Sequence, residues 1–238
     1  MLPSASGRSS RCASCACAES NWVCRTACGK SSRSLTPTAR RFRRNAVIMM
    51  EGSESRAIHV VRSGQIRLFK TAFDGRELGI EYLGPGAVVG IETLGRRDAS
   101  CTAEVTREAD LCAFPSSALR GAIHDDVTIA TCYVTNILAD LARAHQLVMD
   151  LGVRTARERV AAFLLRQALD GRRSVGTDNA LPCRFVLQLS RRQIADHLGL
   201  ASETVIRILM DMHRDGIVEV SGRTVAMRDL TELRRIAN

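Results

Sequence analysis

The sequence predicts an α+β protein with a β-rich N-terminal half, one long helix, and a small helical C-terminal part that ends in a β-hairpin. Three observations lead to this prediction. Short apolar segments alternate with turn signals from about Val47 onward, and apolar residues then recur with a seven-residue period over 125–151. Two short amphipathic patterns meet at Gly199, ahead of an alternating stretch over 217–227. A chain of 238 residues is long enough for two ordinary domains.

The composition argues against a membrane protein and a secreted one. Hydrophobic residues make up 45% of the chain and charged residues 25%, which is typical of a globular protein. The apolar runs are far shorter than the roughly 18 residues that a membrane-spanning helix needs. The N-terminus also lacks the apolar core and cleavage site of a secretory signal. We therefore expect a cytoplasmic protein, in a reducing compartment, that does not contact a membrane.

The first 44 residues differ from the rest of the chain. They hold nine Lys or Arg and one acidic residue, whereas residues 45–153 hold ten basic and fourteen acidic residues and residues 154–238 hold fifteen basic and ten acidic ones. A segment with so little apolar pattern cannot bury a core, so we expect an irregular arm unless a ligand orders it. In a reducing compartment, clustered cysteines favour metal binding or redox chemistry over structural disulfides. Five of the nine cysteines lie in this arm: Cys12, Cys15, Cys17, Cys24 and Cys28.

A compact antiparallel barrel is predicted over residues 45–122. Its apolar segments alternate with polar residues, as half-buried strands do. An Asp-Gly pair between two such runs is a hairpin signal. The last strand ends near Ala113–Phe114. The segments are Ala57–Val61, Gln65–Phe69, Glu77–Leu83 and Ala87–Ile91, and the turn signals between them are Ser63–Gly64, Asp74–Gly75 and Gly84-Pro85-Gly86.

Residues 125–151, within a segment 123–153, predict one long helix. The apolar stripe repeats with alternating steps of three and four residues, which is a heptad period. Leu138 and Leu147 widen the stripe, so one side is expected to pack on the barrel. The alternative is a helix buried wholly in its own domain, but the sustained period favours a partner helix, and a homodimer is the simplest source of one. The expected dimerisation residues are Val134, Ile137, Leu141, Ala144, Val148 and Leu151.

The C-terminal domain, residues 154–238, predicts two helices around a tight turn. A helix over 156–170 and a loop over Gly171–Pro182 precede them. Ser190 is a suitable N-cap for the first helix, Gly199 supplies the turn, and the second helix begins near Ser202. This is a helix-turn-helix pattern, in which the second helix enters the DNA major groove. The apolar inner face of that helix is Val205, Ile208, Leu209 and Met212, and a hairpin wing is expected from Ile217–Val220 and Thr224–Met227.

The outward residues of the second helix have side chains that can bind base edges. An arginine donates two hydrogen bonds to guanine, a glutamate accepts one from cytosine, and an apolar side chain contacts the thymine methyl. The alternative is an amphipathic helical hairpin with solvated charges. Phosphate contacts are expected from Arg191, Arg192, Arg214 and Arg223. The expected DNA-binding residues are Ser190, Arg191, Arg192, Ser202, Glu203, Thr204, Ile206 and Arg207.

Over residues 42–238 the sequence resembles the Crp/Fnr family of bacterial transcription regulators. The resemblance implies an N-terminal β-roll of the cyclic-nucleotide-binding jelly-roll type, a dimerisation helix and a C-terminal winged helix-turn-helix. It also implies a homodimer that binds palindromic double-stranded DNA and contacts RNA polymerase. Glu203 and Arg207 match the residues with which the family reads base pairs, whereas Ile206 stands where FNR-like members commonly carry Ser. The resemblance rests on Val61–Ile66, Gly84–Gly90, Arg157–Phe163, Arg191–Leu200 and Ser202–Arg207.

The family also suggests what the β-roll senses. Members that bind cyclic nucleotides hold the phosphate with an Arg-Ser or Arg-Thr pair, and the corresponding stretch Asp98–Thr102 has no such pair, so no cyclic nucleotide is expected. FNR-like members hold a 4Fe–4S cluster with three N-terminal cysteines and a fourth one in the last strand of the roll, before a proline. Cys112, ahead of Pro115, matches that fourth position. The implied ligands are Cys12, Cys15, Cys24 and Cys112, with Cys17 and Cys28 as alternates.

Other uses of the cysteines stay open. Zinc also accepts four thiolates, and the arm could instead form a redox disulfide. A regulator without a cluster, of the FixK type or responding to another small ligand, needs no cysteine at all. A thiol oxidoreductase using Cys12 and Cys15 lacks the expected thioredoxin-like surroundings. The five histidines are isolated and no phosphate-binding glycine loop is present, so no enzyme is expected. We expect Cys101, Cys132 and Cys183 to be ordinary core or surface residues.

Overall fold

The computed structural model describes Val23, residues 37–175 and residues 184–237, with the backbone alone for 169–175. The described residues form two compact units. The first runs up to Ala142 without Glu77–Gly79, and the second consists of Glu77–Gly79 and the chain from Arg143 onward. The expected ligands Cys12, Cys15 and Cys24, the alternates Cys17 and Cys28, and also Cys183 lie outside the described residues.

A six-stranded sheet forms the N-terminal part and confirms the predicted β-roll. The strands are β1 (Thr38–Phe42), β2 (Val47–Met49), β3 (Ala57–Thr71), β4 (Glu77–Leu83), β5 (Val88–Val89) and β6 (Thr102–Pro115). The strand order is β1-β6-β3-β4, with β2 paired to β6 and β5 paired to β3. The pairs of β6 with β1, β2 and β3 are antiparallel, as is the pair of β3 with β5. The hairpin at Asp74–Gly75 lies between β3 and β4, as predicted.

Strand β3 differs from the sequence prediction at Ser63–Gly64. These residues were expected to form a turn between two strands, but β3 continues through them, and its register against β6 shifts between Val61 and Ile66. Gly64 has φ +90°, and a β-carbon there would overlap the carbonyl oxygen of Glu108 on β6. The glycine therefore permits a bulge inside one long strand rather than a chain reversal.

The segment Thr38–Phe42 also differs from its prediction. It falls in the part of the chain expected to be an irregular arm, yet it forms β1 and pairs with β6 over its whole length, with Ala39 opposite Cys112. Four of its five residues are exposed. The strand is held by main-chain hydrogen bonds to β6 more than by burial, and such an edge strand leaves no apolar alternation in the sequence.

Two apolar clusters hold this part together. One lies within the sheet and includes Val61, Ile66 and Leu111. The other includes Val60, Cys112 and Phe114 together with residues of the helices that follow, and Val23 belongs to it with no exposed surface. Burying these side chains stabilises the unit by about 1.5–3 kcal/mol for each large residue.

Two helices follow the sheet, α1 (Ser116–Asp125) and α2 (Val127–Gly152). The second confirms the long helix expected over 125–151. Its contact with the β-roll was predicted on the wrong side, because Leu138 is 59% exposed. The residues that pack against the apolar cluster of Cys112 are Ile129, Cys132, Tyr133 and Ile137.

The C-terminal unit combines helices with a three-stranded sheet of order β7-β9-β8. Gly171 was expected to begin a loop, but helix α3 (Ala156–Val175) includes it. A single glycine costs only about 1 kcal/mol in a helix. Strand β7 (Arg184–Val186) has three residues and was too short to be predicted. The other elements are α4 (Arg191–Leu198), α5 (Ser202–Arg214), β8 (Val218–Ser221), β9 (Thr224–Met227) and α6 (Leu230–Ala237).

Within the described ranges, no helix is long and apolar enough to span a membrane.

Candidate nucleic-acid interface

Helix α4 begins with a capping box, which fixes where the helix-turn-helix starts. The Ser190 hydroxyl accepts a hydrogen bond from the Gln193 N–H at 3.3 Å, and the Gln193 side chain accepts one from the Ser190 N–H at 2.9 Å. These reciprocal bonds satisfy N–H groups that the helix itself cannot pair. The N-cap role of Ser190 is confirmed, and its expected DNA contact stays a prediction, since the hydroxyl accepts from Gln193 and keeps its own proton to donate.

The turn after α4 depends on Gly199 and on an arginine that sequence reasoning did not identify. Gly199 has φ +62°, a conformation that glycine adopts without strain. Arg159, on α3, donates hydrogen bonds to the carbonyl oxygens of Leu198 at 3.1 Å, Leu151 at 2.8 Å and Arg154 at 3.0 Å. One guanidinium thus links the ends of α2 and α4. No sequence pattern signals this role, since the acceptors are main-chain oxygens.

Helix α5 has one buried face and one exposed face, as predicted. Val205, Ile208, Leu209 and Met212 are buried. On the opposite face Glu203 and Arg207 are exposed and Ile206 is 44% exposed. Neither the Glu203 nor the Arg207 side chain has a hydrogen bond or an ion pair with another described residue. Both are therefore available to base edges.

The first turn of α5 offers main-chain groups as well. Ala201 precedes the helix and provides no side-chain cap, so the first N–H groups of α5 are not satisfied by a cap. The expected contact residues Ser202 and Thr204 are half-buried in this turn. A helix N-terminus of this kind favours phosphate oxygens, which suits it to the DNA backbone.

The wing is formed by β8 and β9, as predicted, and two arginines, one on α4 and one in the wing turn, hold it in place. Arg191 donates to the carbonyl oxygen of Gly222 at 2.9 Å. Arg223 donates to the carbonyl oxygens of Leu187 at 3.0 Å and Gln188 at 2.5 Å. Burial, with the nearby charge of Arg223, lowers the pKa of Arg191. These contacts hold the wing against the start of α4, and the phosphate contacts expected of both arginines stay a prediction.

The two remaining arginines expected at phosphate differ from each other. Arg192 is exposed and has no partner in the described part of the chain, so its guanidinium is available to DNA. Arg214 forms an ion pair with Asp211 at 3.3 Å, three residues earlier on α5. An exposed pair of this kind contributes little stability, and phosphate can replace its carboxylate.

An exposed apolar strip runs along α2. Val134, Leu141 and Val148, spaced seven residues apart, are 52%, 49% and 69% exposed. Ala144 is also exposed, whereas Ile137 and Leu151 are half-buried. Large apolar side chains that recur on one face and remain in solvent are typical of an unpaired helix–helix interface. We call Val134, Leu141, Ala144 and Val148 the α2 strip.

Cys112 lies on β6 and is 2% exposed. Its neighbours across the sheet are Val60 on β3 and Ala39 on β1. Val23, the residue before Cys24 in the sequence, is buried in the same apolar cluster. The described residues contain no group of three or more His, Cys, Asp or Glu that could hold a metal. Cys112 can therefore be one thiolate ligand, and any others must come from outside these residues.

The stretch that corresponds to the phosphate-binding pair of cyclic-nucleotide binders has other contacts. Asp98 forms an isolated β-bridge with Glu54, and the Ser100 hydroxyl donates to the Glu92 carboxylate at 3.2 Å. Cys101 is buried, and burial together with the Glu92 charge raises the pKa of its thiol to about 11. The acidic side chain of Glu92 beside this stretch disfavours a cyclic phosphate here. That the protein binds no cyclic nucleotide stays a prediction.

Comparison with known proteins gives matches to both parts of the chain. A cyclic nucleotide-binding domain model matches residues 39–126, and a Crp-like helix-turn-helix domain model matches residues 158–236. The nitrogen fixation regulation protein FixK of Azorhizobium caulinodans is 36% identical over 196 residues, or 82% of this chain and 77% of that protein. The transcriptional activator protein FnrL of Cereibacter sphaeroides is 27% identical over 198 residues, or 82% and 78%. The structure of FixK2 from Bradyrhizobium japonicum has a TM-score of 0.73 at 30% identity and covers 85% of this chain and 98% of that one.

Proposed function

The chain belongs to the Crp/Fnr family of DNA-binding transcription regulators, and from this membership we propose that it acts as a homodimer on a palindromic DNA site, read by Glu203, Ile206 and Arg207. The observation that carries the proposal is the exposed face of α5. Glu203 and Arg207 on this face have no partner among the described residues, while the opposite face is fully packed. A charged side chain left unpaired on a rigid helix is available to a base edge without breaking an existing contact.

Each of the three side chains has a matching base-edge group. The Arg207 guanidinium donates to guanine O6 and N7, the Glu203 carboxylate accepts from the cytosine amino group, and the Ile206 side chain contacts a thymine methyl. The N–H groups at the start of α5 and the free guanidinium of Arg192 bind phosphate oxygens and fix the orientation of the helix. Base contacts thus select the sequence, and phosphate contacts hold the register.

Replacing Arg207 by alanine is expected to weaken binding to the specific site by about 1–3 kcal/mol and to relax selectivity at one base position. Replacing Arg192 by alanine is the matched comparison, because a phosphate contact is lost equally on every sequence. The measurement is fluorescence anisotropy with a site selected from random DNA, against scrambled DNA of the same length. If Arg207→Ala weakens both DNAs by the same factor, Arg207 does not read a base.

To bind a palindrome, the two copies of α5 in a dimer must enter successive major grooves on the same face of the DNA. Half-sites one helical turn apart place the two recognition helices about 34 Å from each other. The α2 strip supplies a surface that can pair two chains, since its period of seven residues is that of a two-stranded coiled coil. The resemblance further implies contact with RNA polymerase, and that contact stays a prediction.

We further propose that oxygen or redox state controls this regulator through a 4Fe–4S cluster held by Cys112 and three cysteines of the N-terminal arm, Cys12, Cys15 and Cys24. The supporting observation is that Val23, adjacent in sequence to Cys24, is buried in the same cluster of residues as Cys112. When bound, such a cluster supplies a centre that oxygen can oxidise. Cys112 lies in the same apolar cluster as Ile129 of α2. When the iron–sulfur cluster is lost, a shift of the Cys112 side chain therefore changes the packing of the helix that carries the α2 strip.

Anaerobic reconstitution with iron and sulfide tests this control. The wild-type chain is expected to bind iron and to show a visible absorbance that bleaches in air, and Cys112→Ser is expected to lose most of both. Cys101→Ser is the matched control, because that thiol is also buried and its raised pKa keeps it protonated. Equal iron content in the wild type and Cys112→Ser would exclude Cys112 as a ligand.

A regulator without a cluster is the competing possibility, and the FixK match favours it. In that case the reconstituted wild-type chain stays colourless and binds its operator with the same affinity with and without oxygen. Zinc instead of iron in the purified protein would favour a structural metal in the arm. These outcomes leave the assignment of α5 intact, since DNA binding is measured independently of the cysteines.

A further inference from the structure

We propose that a cavity lined by segments of the β-roll and by helix α1 binds a small molecule through its phosphate group. The cavity has a volume of about 660 Å³, and its walls are the segment before β3, the segment after the short 3₁₀ helix Ile91–Leu94, and helix α1. No residue of Asp98–Thr102, where cyclic-nucleotide binders hold their phosphate, lines it. It is therefore a separate site from the one for which the fold is named.

The cavity is positively charged in an acidic region of the chain. Arg56, Arg97 and Arg120 line it against one carboxylate, Glu54. Glu54 is 3.3 Å from the Arg56 guanidinium and so offsets part of that charge. Arg97 and Arg120 have no ion pair or side-chain hydrogen bond within the described ranges. Two unpaired guanidinium groups on one cavity suit phosphate oxygens, because their planar donors match that geometry.

The N-terminus of α1 adds one main-chain donor, the Ser117 N–H, to the same cavity, since the Ser116 N–H is already bound to the carbonyl oxygen of Arg56. Ser116 and Ser117 form the first turn of this ten-residue helix and line the cavity. Pro115 precedes them and provides no side-chain cap. The first N–H groups of a helix lack intrahelical partners, and the helix dipole favours negative charge at that end. The helix start and the two arginines therefore favour the same kind of ligand.

Ser116 carries a buried hydroxyl at the wall of the same cavity. The residue is 5% exposed, and its hydroxyl is buried without a hydrogen-bond partner. Its N–H donates to the carbonyl oxygen of Arg56 at 2.9 Å, which holds the residue at the cavity wall. Buried hydroxyls are almost always paired, so an unpaired one in a native structure calls for an explanation. The oxygen has no accessible surface in this rotamer, so the Ser116 side chain must rotate before it donates to a phosphate oxygen in the cavity.

The size of the cavity indicates more than a bare ion. Its volume lies within the range of small-molecule sites, about 300–1,000 Å³, and a single phosphate fills only part of it. The polar wall accounts for a phosphate group, and the remaining space accommodates the organic part of a phosphate monoester. Both inorganic phosphate and a sugar phosphate carry the phosphate group that the polar wall would bind, so these are the two ligands to distinguish.

Calorimetric titration of the full-length protein with inorganic phosphate and with glucose 6-phosphate, at constant ionic strength and without DNA, tests the site. Saturable binding of either probe is expected. Arg97→Gln and Arg120→Gln should each weaken it roughly tenfold. Arg96→Gln is the matched control, because Arg96 is the exposed neighbour of Arg97 but does not line the cavity. Tighter binding of glucose 6-phosphate than of phosphate identifies the ligand as a monoester, and the reverse identifies the free ion.

Ser116→Ala separates a ligand contact from a structural one. Removing a hydroxyl that has no partner should leave the melting temperature of the ligand-free protein unchanged or raise it, while phosphate binding weakens severalfold. The proposal is overturned if neither probe binds saturably up to about 10 mM, because a dissociation constant above that concentration corresponds to a binding free energy too small for a working site. Equal weakening by Arg96→Gln and Arg97→Gln would also overturn it, because the effect would then be one of general charge.

Discussion

Replacing both Leu141 and Val148 by glutamate is expected to leave the protein monomeric and to reduce its affinity for a palindromic site by roughly a hundredfold or more. The two side chains lie seven residues apart on the α2 strip and are 49% and 69% exposed in the single chain. In a dimer each would face its counterpart on the partner helix. A glutamate at each position then removes apolar contact and places like charges opposite each other.

The size of the effect follows from the area that the dimer buries. Burying one large aliphatic side chain is worth about 1.5–3 kcal/mol, and the double substitution removes four such side chains from a symmetric interface. Because Leu141 and Val148 are 49% and 69% exposed in the single chain, the dimer is weakened by about 3.5–7 kcal/mol, which raises its dissociation constant by roughly three-hundredfold or more. A monomer contacts one half-site only, so the second half of the palindrome no longer contributes to binding.

The matched control is the double variant Ala142→Glu and Met149→Glu. Ala142 and Met149 adjoin the substituted residues, are exposed and have the same seven-residue spacing, but they lie outside the stripe. Sedimentation velocity gives the oligomeric state, and fluorescence anisotropy gives the DNA affinity. The control should stay dimeric and bind DNA as the wild type does. If the control dissociates as readily as Leu141→Glu with Val148→Glu, α2 pairs through another face.

The helix-turn-helix could be predicted residue by residue because its signals are local. Ser190 as N-cap, Gly199 as the turn and the buried positions of α5 follow from hydrogen-bonding capacity, backbone conformation and helical period. The roles of Arg191 and Arg223 could not be predicted. Both were expected at phosphate, yet both bind main-chain oxygens of segments distant in sequence. An arginine looks the same in a sequence whether its partner is a carbonyl or a phosphate.

The β-roll shows the same division between local and non-local information. The hairpin at Asp74–Gly75 could be predicted from two adjacent residues. The continuation of β3 through Gly64 could not, because it depends on the close approach of the Glu108 carbonyl oxygen on β6 to the Gly64 backbone. The side of α2 that packs on the sheet was also not readable, because Leu138 fits the apolar pattern as well as Ile137 does. The phosphate cavity combines arginines from three separate segments, so no motif marks it.

Replacing Asp150 by asparagine is expected to destabilise the protein by about 3 kcal/mol, the low end for breaking a buried ion pair. The Asp150 side chain is 2% exposed. Arg154 and Gln146 bind one carboxylate oxygen, and Arg166 binds the other at 2.6 Å. This network joins the last turns of α2 to α3, which leads into the helix-turn-helix. We expect a cost at the low end of that range because the side chains of Arg154 and Arg166 are partly exposed. Water can therefore solvate both guanidinium groups when the Asp150 carboxylate is replaced by a neutral amide.

The effect depends on pH in a defined direction. Burial alone would raise the pKa of Asp150, but the hydrogen bond from Gln146 and the charges and hydrogen bonds of Arg166 and Arg154 hold it below its ordinary value. A carboxyl whose pKa is lower in the folded state stabilises that state above its unfolded pKa of about 3.9. This contribution is lost as the pH falls through the lower folded pKa. The difference between wild type and Asp150→Asn should thus be full at neutral pH and shrink below about pH 4.

Urea unfolding of the two proteins at neutral and acidic pH measures this difference, with Glu232→Gln as the control. Glu232 forms an ion pair with Arg235 within the same unit, but the arginine side chain is 73% exposed. An exposed pair contributes about 0–1 kcal/mol, so Glu232→Gln should cost little at either pH. A loss in Asp150→Asn no larger than in Glu232→Gln would mean that water screens the Asp150 network. Arg159, whose three acceptors are main-chain oxygens, would then be the main polar link between α2 and the helix-turn-helix.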